Sequence, residues 1–534
     1  MMRPVIATGM LAALLGIGGR AEAQVPPRIL VMPFENVARD SRIFWLTEAA
    51  AVLLADNLNG LGASAITREE RREAFERLQV PPAAVLTDAT VIRIGQLVGA
   101  SQVVVGTLQL QGETLLIRAK SIALEAGRIQ SGATDGGPLP ELFSIFERLS
   151  RQFVPPGAAA VSPGLPADNP PVRAFENYIK GLLAETPATA VNYLNAALQA
   201  HPSFDRARLA IWEVRTDQGD HERALAAVKA VPSSSRFGRR ALFLAAMSQL
   251  AMKRFEEAYQ SFSTLAKERP TAAVYNNLGV VQLRRAGPAE TGQATYYFNR
   301  AAEMAAQDVD YFFNLGYAYW LQRDVQAAIH WLREAVRRDP TDGDAHLVLA
   351  AALSSSGQTV EAARERELAR RLSSKYEDLD RRPPAEQVPS GLERVKSGVE
   401  LPYALGITDA LTASGQRDQR ELARFHLEAG HRMFEEERDR EALQELNRAL
   451  FLSPYEARAH LLVGRIHLRN GRVAEAVDAL KISLWSEETA DGHATLADAY
   501  LAAKEVEAAR AEAERALALD AGHQAARRIL DQTK

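Results

Sequence analysis

The 534-residue sequence has no cysteine. That excludes disulfides, thiolate metal sites, cysteine nucleophiles and lipid attachment through a cysteine at a mature N-terminus, so the fold must stand on packing alone. Neither sign of charge dominates: 63 Lys and Arg face 67 Asp and Glu. No global field draws in phosphates, and nucleic acid is not expected as a partner. Beyond the N-terminal segment no apolar run approaches the roughly 20 residues a bilayer-spanning helix needs, so membrane insertion of the mature chain is not expected. The phosphate-cradling GxxxxGK[ST], the zinc-binding HExxH and the nucleophile elbow GxSxG are all missing. The expectation is therefore a non-enzymatic chain with no cofactor and no metal.

What is present is enough apolar text for several cores. An apolar share of 47% and a charged share of 24% are those of ordinary globular chains, and the length implies more than one domain. Residues 1–23 have the pattern of a signal peptide: Arg3, an apolar stretch from Val5 to Gly19, and the small residues of Ala21-Glu22-Ala23 before Gln24. The expected location is the periplasm or the exterior of the cell. Two breaks then divide the chain. Residues 154–171, rich in Pro, Ala and Gly, read as a linker, and 375–419, interrupted by Pro383, Pro384, Pro389 and Pro402, as an irregular linker or a degenerate repeat.

Residues 24–153 mix the strand and helix periods. RILVMPF from Arg28 reads as a strand, Trp45 to Leu58 as a helix, Ala63 to Ile66 as a short apolar run, and Glu69 to Leu78 and Asp88 to Leu97 as two further helices. SQVVVGTLQL from Ser101 and TLLIRAKSIAL, joined at Gly112, read as a hairpin with Ile117 and Ala119 on one face and Arg118 and Lys120 on the other. An amphipathic helix over Leu139 to Phe153 completes a small α+β domain. PFEN after the first strand, followed by IGQLVGASQVVVGTLQLQGETLLIRAKSIALEAGRI, resembles the amino-terminal domain of the Tol-Pal translocation protein and its relatives among curli-secretion and flagellar envelope proteins. The resemblance implies a non-catalytic docking module of the cell envelope. No β-propeller pattern follows, so that family's particular partners are not implied.

From Val172 onward a period near 34 residues emerges. In VDYFFNLGYAYWLQRDVQAAIHWLREAVRRDP, Leu315, Gly316 and Tyr319 lie on a first helix, and Ala328, Leu332 and Ala335 lie on a second that Pro340 ends. Gly316 and Ala328 are small enough for two antiparallel helices to approach closely. This text resembles the tetratricopeptide repeat (TPR) motif. Further copies include Leu278-Gly279 with Ala294, Phe298 and Ala301, Gly430 with Ala442 and Leu446, and Gly464 with Ala476 and Leu480. About nine copies are expected, as an array over 172–374 and a second block over 420–534 with a C-terminal capping helix. One helix pair cannot bury both of its faces, so neighbours stack into an α-solenoid with a concave surface. The predicted fold is mainly α, a TPR solenoid preceded by a small α+β domain.

The resemblance places the first helix of each repeat on the concave face. Asn277 in NNLG and Asn314 in FNLG then occupy equivalent positions, and a side-chain amide that donates and accepts at once suits the backbone of an extended peptide. The other reading is that they cap or bridge neighbouring helices. The flanking repeats carry Leu244 and Val348 there, so no long amide ladder is expected. Phe313, Tyr317 and Trp320 share one face, either as anchors for a partner or, more commonly for such a stripe, as packing against the adjoining repeat. Arg284, Arg285 and Arg323 lie near first-helix ends, where they meet an acidic partner group or simply solvent. His346, His426, His460 and His493 share one repeat position. A repeat separates them by about 10 Å, which makes them packing residues rather than metal ligands. The functional expectation is an exported scaffold that binds other proteins or extended peptides, envelope components, on its concave face. The alternative is a structural subunit of a secretion, outer-membrane or surface-assembly complex.

Overall fold

The computed structural model describes residues 28–77, 91, 94–95, 98–124, 128–154, 169–285, 293–376, 387–398, 410–453 and 456–533. The signal-peptide segment, most of the expected helix at Asp88 to Leu97 and most of the expected linker at 154–171 lie outside these residues.

The N-terminal domain is a six-stranded sheet covered by helices. Strands β1 (Arg28–Val31), β2 (Glu35–Asn36), β3 (Ser64–Ala65), β4 (Gln102–Gln111), β5 (Thr114–Ala123) and β6 (Arg128–Pro138) run in the order β3-β1-β4-β5-β6, with β2 also paired to β4. Contacts among β1, β2, β3 and β4 are parallel, and β4-β5-β6 form an antiparallel meander. Gly112 turns the hairpin at a φ of +63°, a region that favours glycine. Ile117 and Ala119 are buried and Arg118 is exposed, as the period-two alternation requires. Helices α1 (Leu46–Gly60), α2 (Arg68–Arg77) and α3 (Leu142–Arg151) belong to the same domain. Of the strands the sequence reading omitted, one is the two-residue β2 and the long one is β6. Its text, RIQSGATDGGP, is poor in the β-branched and aromatic residues that mark a strand. Its place in the sheet comes from a ladder along the whole of β5.

Among the described residues nineteen further helices make the repeats: α4 (Val172–Leu183), α5 (Pro187–Ala200), α6 (Asp205–Asp217), α7 (His221–Lys229), α8 (Gly238–Ala251), α9 (Phe255–Glu268), α10 (Ala272–Arg285), α11 (Ala294–Met304), α12 (Val309–Leu321), α13 (Val325–Arg338), α14 (Gly343–Ser355), α15 (Thr359–Leu372), α16 (Ala410–Glu435), α17 (Asp439–Leu452), α18 (Ala457–Arg469), α19 (Val473–Ser486), α20 (Ala490–Ala502), α21 (Val506–Leu519) and α22 (Gln524–Gln532). They form nine antiparallel pairs, α4/α5 to α20/α21, with α22 against the last pair. The same close approach recurs. A Cβ added at Gly316, Gly430 or Gly464 would lie 2.7, 2.7 or 2.6 Å from the Cγ of Leu332, Leu446 or Leu480 respectively. Glycine is what lets each leucine fill the space between its two helices. The shared histidines are also interhelical. His346, His426 and His493 pair through Nδ1 with Glu365, Glu445 and Glu512, each 19 residues further on, whereas His460 meets the Phe44 ring edge-on.

The chain folds back on its own beginning. Trp45 and Phe143 meet the Phe175 ring, so the N-terminal domain and the first helix pair share one apolar core. Ion pairs flank that seam: buried Glu48 receives buried Arg71 and half-buried Arg68, Asp56 binds Arg206 through both carboxylate oxygens, and Arg72 approaches Glu213. Buried charges persist where they are paired. The N-terminal domain is thus packed on the array through aromatic residues that the sequence alone does not single out. The second TPR block closes the circuit. Phe44 contacts Trp485 of α19, Ser41 donates to Asp478 at 2.7 Å, and the Glu185 backbone N–H donates to the Ser486 carbonyl at 2.7 Å.

Candidate peptide-binding groove

The first helices α8, α10, α12 and α14 line a groove, and residues 387–398 lie along it. These residues fall in the Pro-interrupted stretch, and they form neither helix nor strand. They run against the order of the repeats. Tyr317 on α12 donates to the Pro389 carbonyl at 3.1 Å, Arg394 and Lys396 sit over α12 and α10, and Arg240 on α8 donates to the Ser397 carbonyl at 2.9 Å. At Gly398 the strap meets α8: its φ is +85° and a Cβ there would strike the Phe243 ring at 2.8 Å.

Two asparagines hold the strap by its backbone. Asn314 Nδ2 donates to the Arg394 carbonyl at 2.8 Å, while the Arg394 N–H donates to Asn314 Oδ1 at 2.7 Å. Asn277 does the same for Lys396, at 2.9 and 2.8 Å. In an extended chain, residues two apart face the same way, so two amides one repeat apart engage alternate peptide units. Asn276, which the sequence reading did not single out, donates to the Arg394 carbonyl at 2.8 Å and accepts from Asn314 Nδ2 at 2.7 Å. All three asparagines are fully buried. A buried amide must find partners, and here the strap supplies most of them.

Side chains set a charge pattern over this backbone clamp. Arg394 reaches Asp310 at 2.8 Å and both oxygens of Asp342 at 2.7 Å, and its guanidinium lies 4.0 Å from the centre of the Phe313 ring. Lys396 pairs with Asp308 at 2.6 Å and Asp310 at 2.7 Å. Glu393 is buried and receives Arg284 at 2.6 Å. Asp308 and Asp342 are also N-caps, of α12 and α14, so helix capping and ligand charge use the same carboxylates. Burial pushes the Asp310 carboxyl up, but Lys396 and Arg394 outweigh it and hold it below its ordinary value. Burial likewise pushes the Lys396 ammonium down, and Asp310 and Asp308 hold it above its ordinary value. Asp310 and Lys396 thus each favour the other's charged form. Leu392 and Val388 pack on the apolar cluster around Phe313, and Val395 on the neighbouring one.

Of the other residues named from the sequence, Phe313 and Tyr317 lie under the strap, whereas Trp320, Arg323 and Arg285 serve packing. Phe313 and Tyr317 are buried and stacked, with ring planes 6° apart. Trp320 packs at the edge of the same cluster, and Arg323 lies 5.9 Å from its ring in the turn that follows. Arg285 pairs with Glu256 and lies 3.6 Å from the centre of the Tyr259 ring, which ties two repeats together. The acidic set Asp308, Asp310 and Asp342 was missed. Its signal was an aspartate before or just inside successive first helices.

Among the described residues no three His, Asp or Glu side chains are grouped to hold a metal ion, and no helix is long and apolar enough to cross a membrane. The tetratricopeptide repeat family matches residues 290–343, 315–371 and 427–494. No similar sequence was found among curated proteins. Solved structures similar to this chain include YrrB, described as a TPR protein with an unusual peptide-binding site (17% identity, 35% of this chain and 94% of that one, TM-score 0.29). PilF of Pseudomonas aeruginosa is another (21%, 36% and 89%, 0.32), and MamA of Desulfovibrio magneticus RS-1 a third (19%, 32% and 96%, 0.29). TPR arrays are protein-interaction folds, and the helical part of this chain is a TPR solenoid preceded by a small α+β domain.

Proposed function

We propose that this protein is an exported, non-enzymatic scaffold of the bacterial envelope that binds extended segments of other proteins in the groove of its first array. The observation that carries the reading is the two-point grip of Asn277 and Asn314 on alternate peptide units, because it recognises the backbone itself and so suits any chain that lies extended. Arg284, Phe313 and Tyr317 add side-chain contacts around that grip. Export rests on the pattern of residues 1–23. The N-terminal domain, by its resemblance to envelope docking modules, and the second block, packed on it, brace the array at its start.

The test is capture from bacterial envelope extract by the full chain and by the variant Asn277→Ala/Asn314→Ala, with mass spectrometry of what is retained and of cross-links to the groove. The reading expects a set of proteins retained by the first and lost by the second, cross-linked near Phe313 and Tyr317. Identical sets on both chains would contradict the groove as the working surface. N-terminal sequencing of protein expressed in a bacterial host tests export: a mature chain starting at Gln24 is expected, and an intact Met1 in the cytosolic fraction would contradict it.

A further inference from the structure

We infer that residues 387–398 are an internal stand-in for the groove's partner, and that the partner is an extended segment of another protein with an acidic residue, then Arg, then any residue, then Lys. This rests on the reading of the groove as a peptide site and adds to it both the ligand's chemistry and a gate.

The strap is bound as a ligand is bound. Its amide clamps, its carboxylate pocket and its contacts with Arg240 and Arg284 are made by side chains 52 to 157 residues away in sequence. Apolar anchoring is limited to Val388, Leu392 and Val395, each only partly buried. The charge code is directional. Arg284 takes Glu393, Asp310 and Asp342 take Arg394, and Asp308 with Asp310 takes Lys396, so reversing any one of these charges places like beside like. Three fully buried asparagines also fix how the occupant leaves. An empty groove would exchange the strap's backbone for water at these amides and lose the ion pairs, so exchange is most favourable when a second segment offers the same backbone and charge pattern. A tethered strap competes at a high effective concentration, and an outside segment sees only the fraction of chains whose groove is open.

The experiment uses the full chain and a fluorescent synthetic peptide of Gln387 to Gly398, read by anisotropy. In one variant, Arg394→Glu/Lys396→Glu, the strap's own charges repel the pocket. That variant is expected to bind the peptide at least about tenfold more tightly than the wild-type chain, because the internal competitor is weakened. Adding Asn277→Ala/Asn314→Ala is expected to abolish the gain, and a peptide carrying Glu at the positions of Arg394 and Lys396 is expected not to bind. If circular dichroism shows the double reversal to be unfolded, Lys396→Ala replaces it, since it leaves both amide clamps and the Arg394 pairs in place.

Equal affinity of the wild-type and strap-weakened chains would overturn the gate. Equal binding of the native and charge-reversed peptides would overturn the ligand chemistry while leaving the groove as a backbone-reading site. Absence of peptide binding to a folded, strap-weakened chain would overturn this inference and the peptide-site reading together.

Discussion

The two TPR blocks share their scaffolding and differ in what they present. In both, a glycine on the first helix meets a leucine on the second: Gly316 with Leu332 in the first array, and Gly430 with Leu446 and Gly464 with Leu480 in the second. Two residues before that small position, the first array has Asn277 and Asn314, which hold the strap, whereas the second has Glu428, Leu462 and Thr495. Glu428 pairs with Arg458 of the next repeat, Leu462 is buried in the block's own core, and the Thr495 hydroxyl turns back to the Asp491 carbonyl. One block holds an extended chain, and the other uses α19 and its Trp485 to brace the start of the molecule. The lesson is that the repeat's small and apolar positions build the solenoid, while a few polar side chains on the inner helices decide what each stretch of it does.

The comparison can be broken most forcefully where the blocks are alike. Gly316→Val and Gly464→Val should each destabilise the chain by about 3 kcal/mol, because the added side chain meets a leucine that cannot retreat. Urea denaturation followed by circular dichroism would measure it. A large effect in one block only would show that the shared contact is not equally important in both.

Next in size is the seam between the second block and the N-terminal domain. Trp485→Ala removes a buried ring packed on Phe44 and should cost about 2–3 kcal/mol. Small-angle scattering should show the block swinging away, and an unchanged radius of gyration would show that the polar contacts of Ser41 and Glu185 suffice.

Where the blocks differ, so should the response. Asn314→Ala leaves the Arg394 N–H without its acceptor and the Arg394 carbonyl with Asn276 alone, and should destabilise the strap by about 2 kcal/mol, whereas Thr495→Ala in the second block should fall within about 0.5 kcal/mol of wild type. Thermal denaturation of the two variants beside wild type makes this a direct contrast. Similar losses would erase the functional distinction between the blocks.

The smallest expected effect is a pH dependence at the seam. Burial, and then the neighbouring Glu456, push the Glu185 carboxyl up to about 7, against the Ala457 N–H, which favours its ionised form; Glu487 adds to the rise. A carboxyl whose folded value is raised contributes stability that is complete below its unfolded value, near 4.5, and is lost as pH rises through about 7. The second block should therefore dock more firmly at pH 5.5 than at pH 8, and Glu185→Gln should flatten the difference. A melting curve across that range checks it, and a rise in stability toward pH 8 that the variant abolishes would give the opposite sign.

The solenoid was legible because each repeat restates the same local spacing, and Gly316, Leu332 and Ala335 are close in sequence to what they touch. The positions of Asn277, Asn314 and Tyr317 followed from that register. Their occupant did not, because Pro389, Gly391 and Gly398 break every helical period, and nothing local to Glu393, Arg394 or Lys396 indicates a groove some 80 residues earlier. The same limit hid β6, whose glycine-rich text gains its structure from β5, and the aromatic seam at Phe44 and Trp45, whose partners include residues more than 400 positions away. Local period reports elements, but contacts distant in sequence leave no periodic trace.

The most direct test is residue-resolved hydrogen exchange at the Arg394 and Lys396 amides, in the wild-type chain and in Asn277→Ala/Asn314→Ala. If the groove holds an extended backbone through these two side chains, both amides are protected in the wild type and exchange freely in the variant, while the helices α10 and α12 keep their protection. Free exchange of both amides in the wild-type chain, or protection that survives the loss of both asparagines, would contradict it.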